Sequence, residues 1–228
     1  KFILAMDLGP SPEKKFSYNY QSGALSFEFL YNNRKIICNS GYFQKNNHQL
    51  NHISKSTATH STLIIDNKSS VNFKKRLDGH TVIKKNLKIL KKSFFSEKNY
   101  WHMNGSHDGY LKEYGIVYER KLEFFLDTFK LIGQDKLIKK RNFTSSNFEI
   151  RFHFHPETKI TKTQDGKSIL IELDDSGWKF ICPGHNLQIE TGLYFGNQNS
   201  YVENQNIYVS GITEKADQII EWELLKIT

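Results

Sequence analysis

The feature that most constrains this chain is an apolar–polar alternation with a period of two, interrupted repeatedly by turn-forming residues. In residues 24–31 (ALSFEFLY), Leu25, Phe27 and Phe29 share one face, and Ser26, Glu28 and Leu30 the other. Successive side chains of an extended strand point to opposite sides, so this pattern predicts a strand with one buried face. Asn32-Asn33 follows and suits a hairpin turn, because Asn tolerates positive φ. Residues 2–6, 34–39, 61–66, 100–110 and 115–125 read as further strands. So do 159–163 and 168–173, joined through Gln164-Asp165-Gly166, and then 178–182, 186–194, 205–210 and 218–227. Many short strands separated by turn signals predict an all-β fold, a large antiparallel two-layer β-sandwich. With 17 Phe and 11 Tyr but only 4 Pro in 228 residues, the strands have aromatic faces through which to pack. No repeat, linker or low-complexity tract divides the chain, so residues 1–228 are expected to form one domain.

Some stretches are less regular. Residues 44–57 lack apolar periodicity and are expected to form a surface loop, and residues 130–137 to turn at Gly133. Residues 71–95 predict two exposed strands, although 81–90 (TVIKKNLKIL) also fits an amphipathic helix.

The net charge of +8 is unevenly placed. Residues 74–98 hold nine lysines and arginines against Asp78 and Glu97, whereas residues 188–228 hold six carboxylates against Lys215 and Lys226. A basic stripe attracts polyanions, and it is also what a solvated, lysine-rich strand face looks like. Nucleic acid is not expected as a partner, because charge alone supports it and no recognition motif is present. Cys38 and Cys182 have no CxxC partner, which excludes a zinc ribbon and a disulfide framework. No apolar run approaches the roughly 20 residues needed to span a bilayer. The opening KFILAMDLG has none of the form of a signal peptide and reads as the start of a piece of a longer protein.

The stretch richest in chemistry is residues 147–156, NFEIRFHFHP. As a strand it sets Arg151, His153 and His155 on one face and Ile150, Phe152 and Phe154 on the other, and ends at Pro156, which cannot donate to a ladder. A guanidinium and two imidazoles in a row suit an anionic group, a metal or a proton in transit, and a solvent-facing strand gives the same pattern. His60 stands at the mouth of the 61–66 strand, and Ser106-His107-Asp108-Gly109-Tyr110 puts a His and a carboxylate beside a turn. Imidazole is the side chain most readily tuned to exchange a proton near neutral pH. His153-x-His155 lacks the helical spacing of zinc proteases, and no GxSxG, P-loop or GxGxxG occurs.

Several segments in order carry a resemblance: Met6-Asp7-Leu8-Gly9-Pro10, residues 23–29 (GALSFEF), Asn39-Ser40-Gly41, residues 57–63 (TATHSTL), residues 106–110 (SHDGY) and residues 151–156 (RFHFHP). Together they resemble the C-terminal β domain of heparinase II/III-like proteins, over nearly the whole chain. That family joins an α/α toroid to an antiparallel β-sandwich and includes polysaccharide lyases that cleave uronic-acid glycans by β-elimination. The resemblance implies a toroid outside this chain, a carbon–oxygen lyase activity on acidic polysaccharide, and a place in the cell envelope or periplasm. Its alternative is a non-catalytic module that binds anionic polysaccharide or acts as a scaffold. On the lyase reading, His107, His153 and His155 are the candidate catalytic groups, and Arg151, Asp108 and Glu28 the candidate substrate contacts. Some relatives hold a structural zinc, whose matching positions here are Gln21, Asn39 and His60. Only His60 is kept as a metal-type ligand, so no cofactor is expected. The relatives' β-domain catalytic His matches a position near Asn19, where no His occurs.

Overall fold

The computed structural model describes residues 1–45, 48–140, 142–196 and 200–227. The strands are β1 (Phe2–Met6), β2 (Phe27–Tyr31), β3 (Arg34–Cys38), β4 (Leu63–Ile65), β5 (Phe73–Lys75), β6 (Thr81–Ile83) and β7 (Ile89–Ser96). They continue with β8 (Tyr100–His107), β9 (Ile116–Phe125), β10 (Lys130–Lys139), β11 (Asn147–Phe154) and β12 (Lys159–Lys162). The last five are β13 (Ser168–Leu173), β14 (Ser176–Ile181), β15 (Leu187–Tyr194), β16 (Val202–Ile212) and β17 (Gln218–Lys226).

Two large antiparallel sheets result, as the alternation predicts, and β5 and β6 pair as a separate two-stranded hairpin. One runs β1-β2-β3-β11-β16-β15, with β4 also on β11; the other runs β12-β13-β14-β17-β10-β9-β8-β7. β11 is the hub of the first sheet. Along one edge it pairs with β16, and along the other it takes β4 at Phe148–Ile150 and β3 at His153–Phe154. Its inward residues Ile150, Phe152 and Phe154 are fully buried. Between the sheets Trp222 stacks on Phe27 (5.4 Å between centroids) and meets Phe152 at 4.9 Å, while Trp178 meets Phe29 edge-on at 5.5 Å. Such ring pairs carry much of the area that holds two sheets together.

A charged group also sits in this core. Arg120 on β9 and Asp135 on β10 lie opposite each other in register, both wholly buried. Arg120 donates from Nε to Asp135 Oδ1 at 2.6 Å and from Nη2 to Oδ2 at 3.1 Å. Its Nη1 reaches across to the carbonyls of Leu25 and Ser61, just ahead of β2 and β4 in the opposite sheet. Tyr118 O–H donates to Asp135 Oδ1, and Trp222 Nε1–H to Oδ2 at 2.8 Å. The guanidinium thus joins the two layers with its charge matched and its donors used, the condition for a buried ion pair to be tolerated.

Three local expectations are corrected. Residues 44–57 are not all loop: Gln49–Ser54 is an α-helix and Thr57–Thr59 a 3₁₀ turn. Asn51 Nδ2 donates to the Phe43 carbonyl (2.6 Å), and Ser54 Oγ accepts from Phe43 N–H (3.1 Å), so this helix rests on tertiary contacts rather than on apolar periodicity. Gly133 is not a turn but lies inside β10, where an added Cβ would come within 2.0 Å of the Trp222 ring. Residues 71–95 form three strands, β5, β6 and β7, rather than two, and β6 is buried rather than exposed; residues 81–90 hold strand and no helix, as the strand reading expects. The hairpin at Asn32-Asn33 forms, with φ of 48° and 64°.

Candidate functional site

The outward face of β11 carries Glu149, Arg151 and His153 in the alternation read from the sequence, with His155 following. It is not an open row. Arg151 donates to Glu149 Oε2 from Nε (2.9 Å) and Nη2 (2.6 Å), pairs with Glu190 on β15, and lies 5.4 Å from the Tyr208 ring centroid. A guanidinium saturated by two carboxylates orients its neighbours more readily than it takes up another anion.

His153 is 2% exposed. Its Nδ1 meets Ser40 Oγ at 3.2 Å, and its backbone N–H donates to Ser61 Oγ at 2.9 Å. Its Nε2 has no hydrogen-bond partner among the described residues. Burial, then the charge of Arg151 and the nearby His60, lowers its pKa from 6.5 to about 3. His60 is also buried and donates from Nδ1 to the Ser56 carbonyl at 2.8 Å. Its pKa is lowered to about 4, chiefly by burial. Gly23 makes room for this ring: a Cβ there would lie 2.5 Å from His60 Cδ2.

Around this pair the surface opens. Glu28 on β2 forms an ion pair with Lys35 at 2.9 Å and accepts from Asn39 N–H at 3.3 Å. His155 is partly exposed, lies 5.1 Å edge-on from Tyr194 and is 3.7 Å from Glu157. Its pKa is lowered by burial and by Lys35, against the opposing pull of Glu157 and Glu28. Glu28, Lys35, His155 and Tyr194 therefore form a polar rim beside two enclosed neutral imidazoles. Such a rim can hydrogen-bond hydroxyls and steer charge, whereas the enclosed rings are set for organisation rather than for proton uptake near neutral pH.

His107 and Asp108 are elsewhere. His107 ends β8 in the other sheet, 1% exposed, with Tyr118 and Tyr110 ring centroids 5.4 and 5.8 Å away. It accepts from Gly109 N–H at 3.1 Å, and burial lowers its pKa to about 3. Asp108 accepts from Lys88 N–H at 2.8 Å and so closes a turn. The expected set thus divides: Glu28, His60, His153, His155 and Arg151 share one side of the sandwich, and His107 and Asp108 belong to the opposite sheet. Sequence reading did not single out Lys35 or Tyr194 as part of the rim, or Ser40 as the buried partner of His153. Cross-strand register and loop packing bring them there, and no local motif announces that.

The positions matching the relatives' zinc site do not suit a metal. Asn39 Oδ1 already accepts from Ser61 N–H at 2.9 Å, Gln21 offers only an amide, and His60 has one ring nitrogen in use.

The model of the heparinase II/III-like C-terminal family matches residues 1–223. The chain belongs to that family. Among its relatives, this heparinase II/III-like domain is 23% identical over 245 residues to FtsZ-localized protein C of Caulobacter vibrioides, covering 96% of this chain and 40% of that protein. Its fold is similar to that of a heparan sulfate lyase from Pedobacter heparinus, with TM-score 0.78, 14% identity, and 99% of this chain against 33% of that one. A crystal structure of heparinase III gives TM-score 0.73 and 14% identity, over 99% of this chain and 33% of that one. The heparinase II/III-like chain thus spans two fifths or less of the length of these relatives.

Proposed function

We propose that this chain is the β-sandwich portion of a polysaccharide lyase that cleaves uronic-acid-containing glycans by β-elimination together with an α/α toroid. The observation that carries this reading is the family match across residues 1–223. The named activities of the heparan sulfate lyase and heparinase III, which share its fold, support it. β-Elimination needs a base for the proton α to the carboxylate, stabilisation of the resulting enolate-like charge, and an acid for the leaving oxygen. His60, His107 and His153 are enclosed and neutral, so on this reading the toroid supplies the proton transfers. The rim of Glu28, Lys35, His155 and Tyr194 holds the sugar. Arg151, fixed by its two carboxylates, stiffens the strand beneath. The domain is proposed to carry no resident zinc, which elemental analysis finding one zinc per chain would contradict. The same reading places the protein in the cell envelope or periplasm, to be checked by fractionation.

The test is incubation of the full-length protein with a panel of uronate glycans while following absorbance of the unsaturated product. Product is expected, and His155→Ala is expected to weaken substrate affinity without changing thermal stability. Unchanged kinetics in that variant would remove His155 from the rim's work. A second reading, a non-catalytic glycan-binding or scaffold module, is favoured by the saturation of Arg151 and the enclosure of the imidazoles. It is the one left standing if no glycan is cleaved while binding persists.

A further inference from the structure

The two large sheets do not end together, and the mismatch lies along one side of the sandwich. The first sheet stops at β1 and the second at β7. β1 and the turn after it lie over β8 and β9. Phe2 meets Phe124 at 4.9 Å, and Leu8 fills the space over Gly105, where an added Cβ would come within 2.5 Å of its Cδ2. β7 therefore projects past the last strand that could cover it. Its register with β8 sets Phe94 beside Met103 and Lys92 beside Gly105, so both face inward, while Phe95 beside His102 faces out. Met103 and Trp101 pack against the core, and Trp101 lies 5.3 Å from Phe124. Phe94 has the same parity and yet is 76% exposed. The result is an apolar shelf that runs from Trp101 and Met103 out to Phe94, bounded by β1 on one side and open on the other. A groove lined by Pro10, Leu90 and Lys92 extends it.

An exposed ring at core parity, continuous with the core cluster, marks an interaction surface. Its chemistry says how it is covered. Lys91 and Lys92 stand mid-strand on β7, which pairs only with β8 among the described residues, and lysine on such an edge opposes the addition of another strand. Antiparallel pairing with β7 of a second copy would also bring the two Lys92 charges together. The occupant is therefore a packed face, apolar opposite Phe94, Met103 and Trp101, with a carboxylate at its rim for Lys92. Its place in the protein follows from two facts. The matching family model is that of a C-terminal domain, and this chain covers only 33% to 40% of the length of its relatives. A domain that precedes this one joins it through β1, the strand that borders the shelf.

We infer that this shelf is the docking surface for the α/α toroid of the same protein, whose helices lie across Phe94, Met103 and Trp101. The identity of the occupant rests on the function proposed above. Ala5 on β1 lies in register with Glu28 on β2. A toroid seated against β1 thus stands one strand away from the rim of Glu28, Lys35, His155 and Tyr194, and the shelf fixes the two halves of the site relative to each other.

The test is maleimide labelling of the 228-residue chain and of the full-length protein, read by peptide mass. Cys38 and Cys182 are both buried and leave little background. Phe94→Cys is expected to react at least about tenfold more slowly in the full-length protein than in the chain alone, because labelling there waits for the interface to open. Phe95→Cys, the next residue on the opposite face, should react alike in both. Lys92→Cys reads the same face as Phe94→Cys and keeps the test open if that variant fails to fold. Equal rates in the two proteins at positions 92 and 94, or the same slowing at position 95, would overturn the inference. So would slow labelling of Phe94→Cys in the chain alone that speeds up on dilution, which assigns the shelf to a second copy. Far-ultraviolet circular dichroism of the full-length protein reports the toroid separately. No added helix removes the toroid, and with it both this inference and the lyase reading. Added helix with a reactive shelf removes the docking alone. A protected shelf in a full-length protein that cleaves no glycan keeps the docking and removes the catalytic reading.

Discussion

The titratable residues inside this sandwich are a stability device with a definite sign. Burial lowers the pKa of His60 to about 4 and of His107 and His153 to about 3, from 6.5 in an unfolded chain. Below pH 6.5 the unfolded chain takes up protons that the folded one refuses. Their stabilisation is therefore complete above that pH and is lost as pH falls toward 3–4, by about 1.4 kcal/mol per pH unit and group. Melting followed by circular dichroism should show Tm falling steadily from pH 7 to 5, with a shallower slope in His107→Phe and His153→Gln. A flat wild-type profile over that range would contradict it. Arg120 sets a second test. Arg120→Met leaves Asp135 buried without its cation and should cost about 3–5 kcal/mol in urea unfolding. Adding Asp135→Asn removes the lone charge while its amide oxygen still accepts from Trp222, so the double variant should recover part of the loss. If the double variant is as unstable as the sum of its parts, the pair is not coupled as drawn.

At the scale of elements, parity was the readable quantity. The alternation in residues 147–156 put Ile150, Phe152 and Phe154 in the core, and all three are fully buried. The same rule places Tyr118, Arg120, Leu122 and Phe124 on one face of β9, and Leu131, Gly133, Asp135 and Leu137 on one face of β10. An arginine and an aspartate at core parity on adjacent strands are a legible sign of a buried pair. Coverage was not readable. Nothing local to β11 says that its front at His153 is overlaid by Ser40 and His60, because those contacts span roughly a hundred residues of sequence. Gly133 misled for a related reason: it looks like a turn residue until the Trp222 ring, 2.0 Å from a hypothetical Cβ, explains it. Gly133→Ala should therefore destabilise by at least about 1–3 kcal/mol, the usual cost of overpacking. Shortening Trp222 to Phe in the same chain should offset part of that cost. A neutral Gly133→Ala would mean that the two strands separate more easily than the stacking of Phe27, Trp222 and Phe180 suggests.

For the whole molecule, the question is whether the layers behave as one unit. One continuous cluster of buried side chains draws on both sheets, from Leu4 and Phe29 through Phe152 to Trp178 and Trp222, and the Arg120 network crosses between them. The β5–β6 hairpin differs, since its Ile83 belongs to a separate small cluster with Ala24, Val71 and Leu87. Cooperativity follows shared burial, so losing either large sheet strands the apolar face of the other. Urea unfolding followed by tryptophan fluorescence, which reports Trp178 and Trp222 between the layers, should coincide with unfolding followed by far-ultraviolet circular dichroism. Amide exchange should release residues 71–87 well before β9, β10 and β11. Two separated transitions would divide the chain into more than one domain. They would also mean that the central guanidinium and the ring stack between the sheets do not couple them.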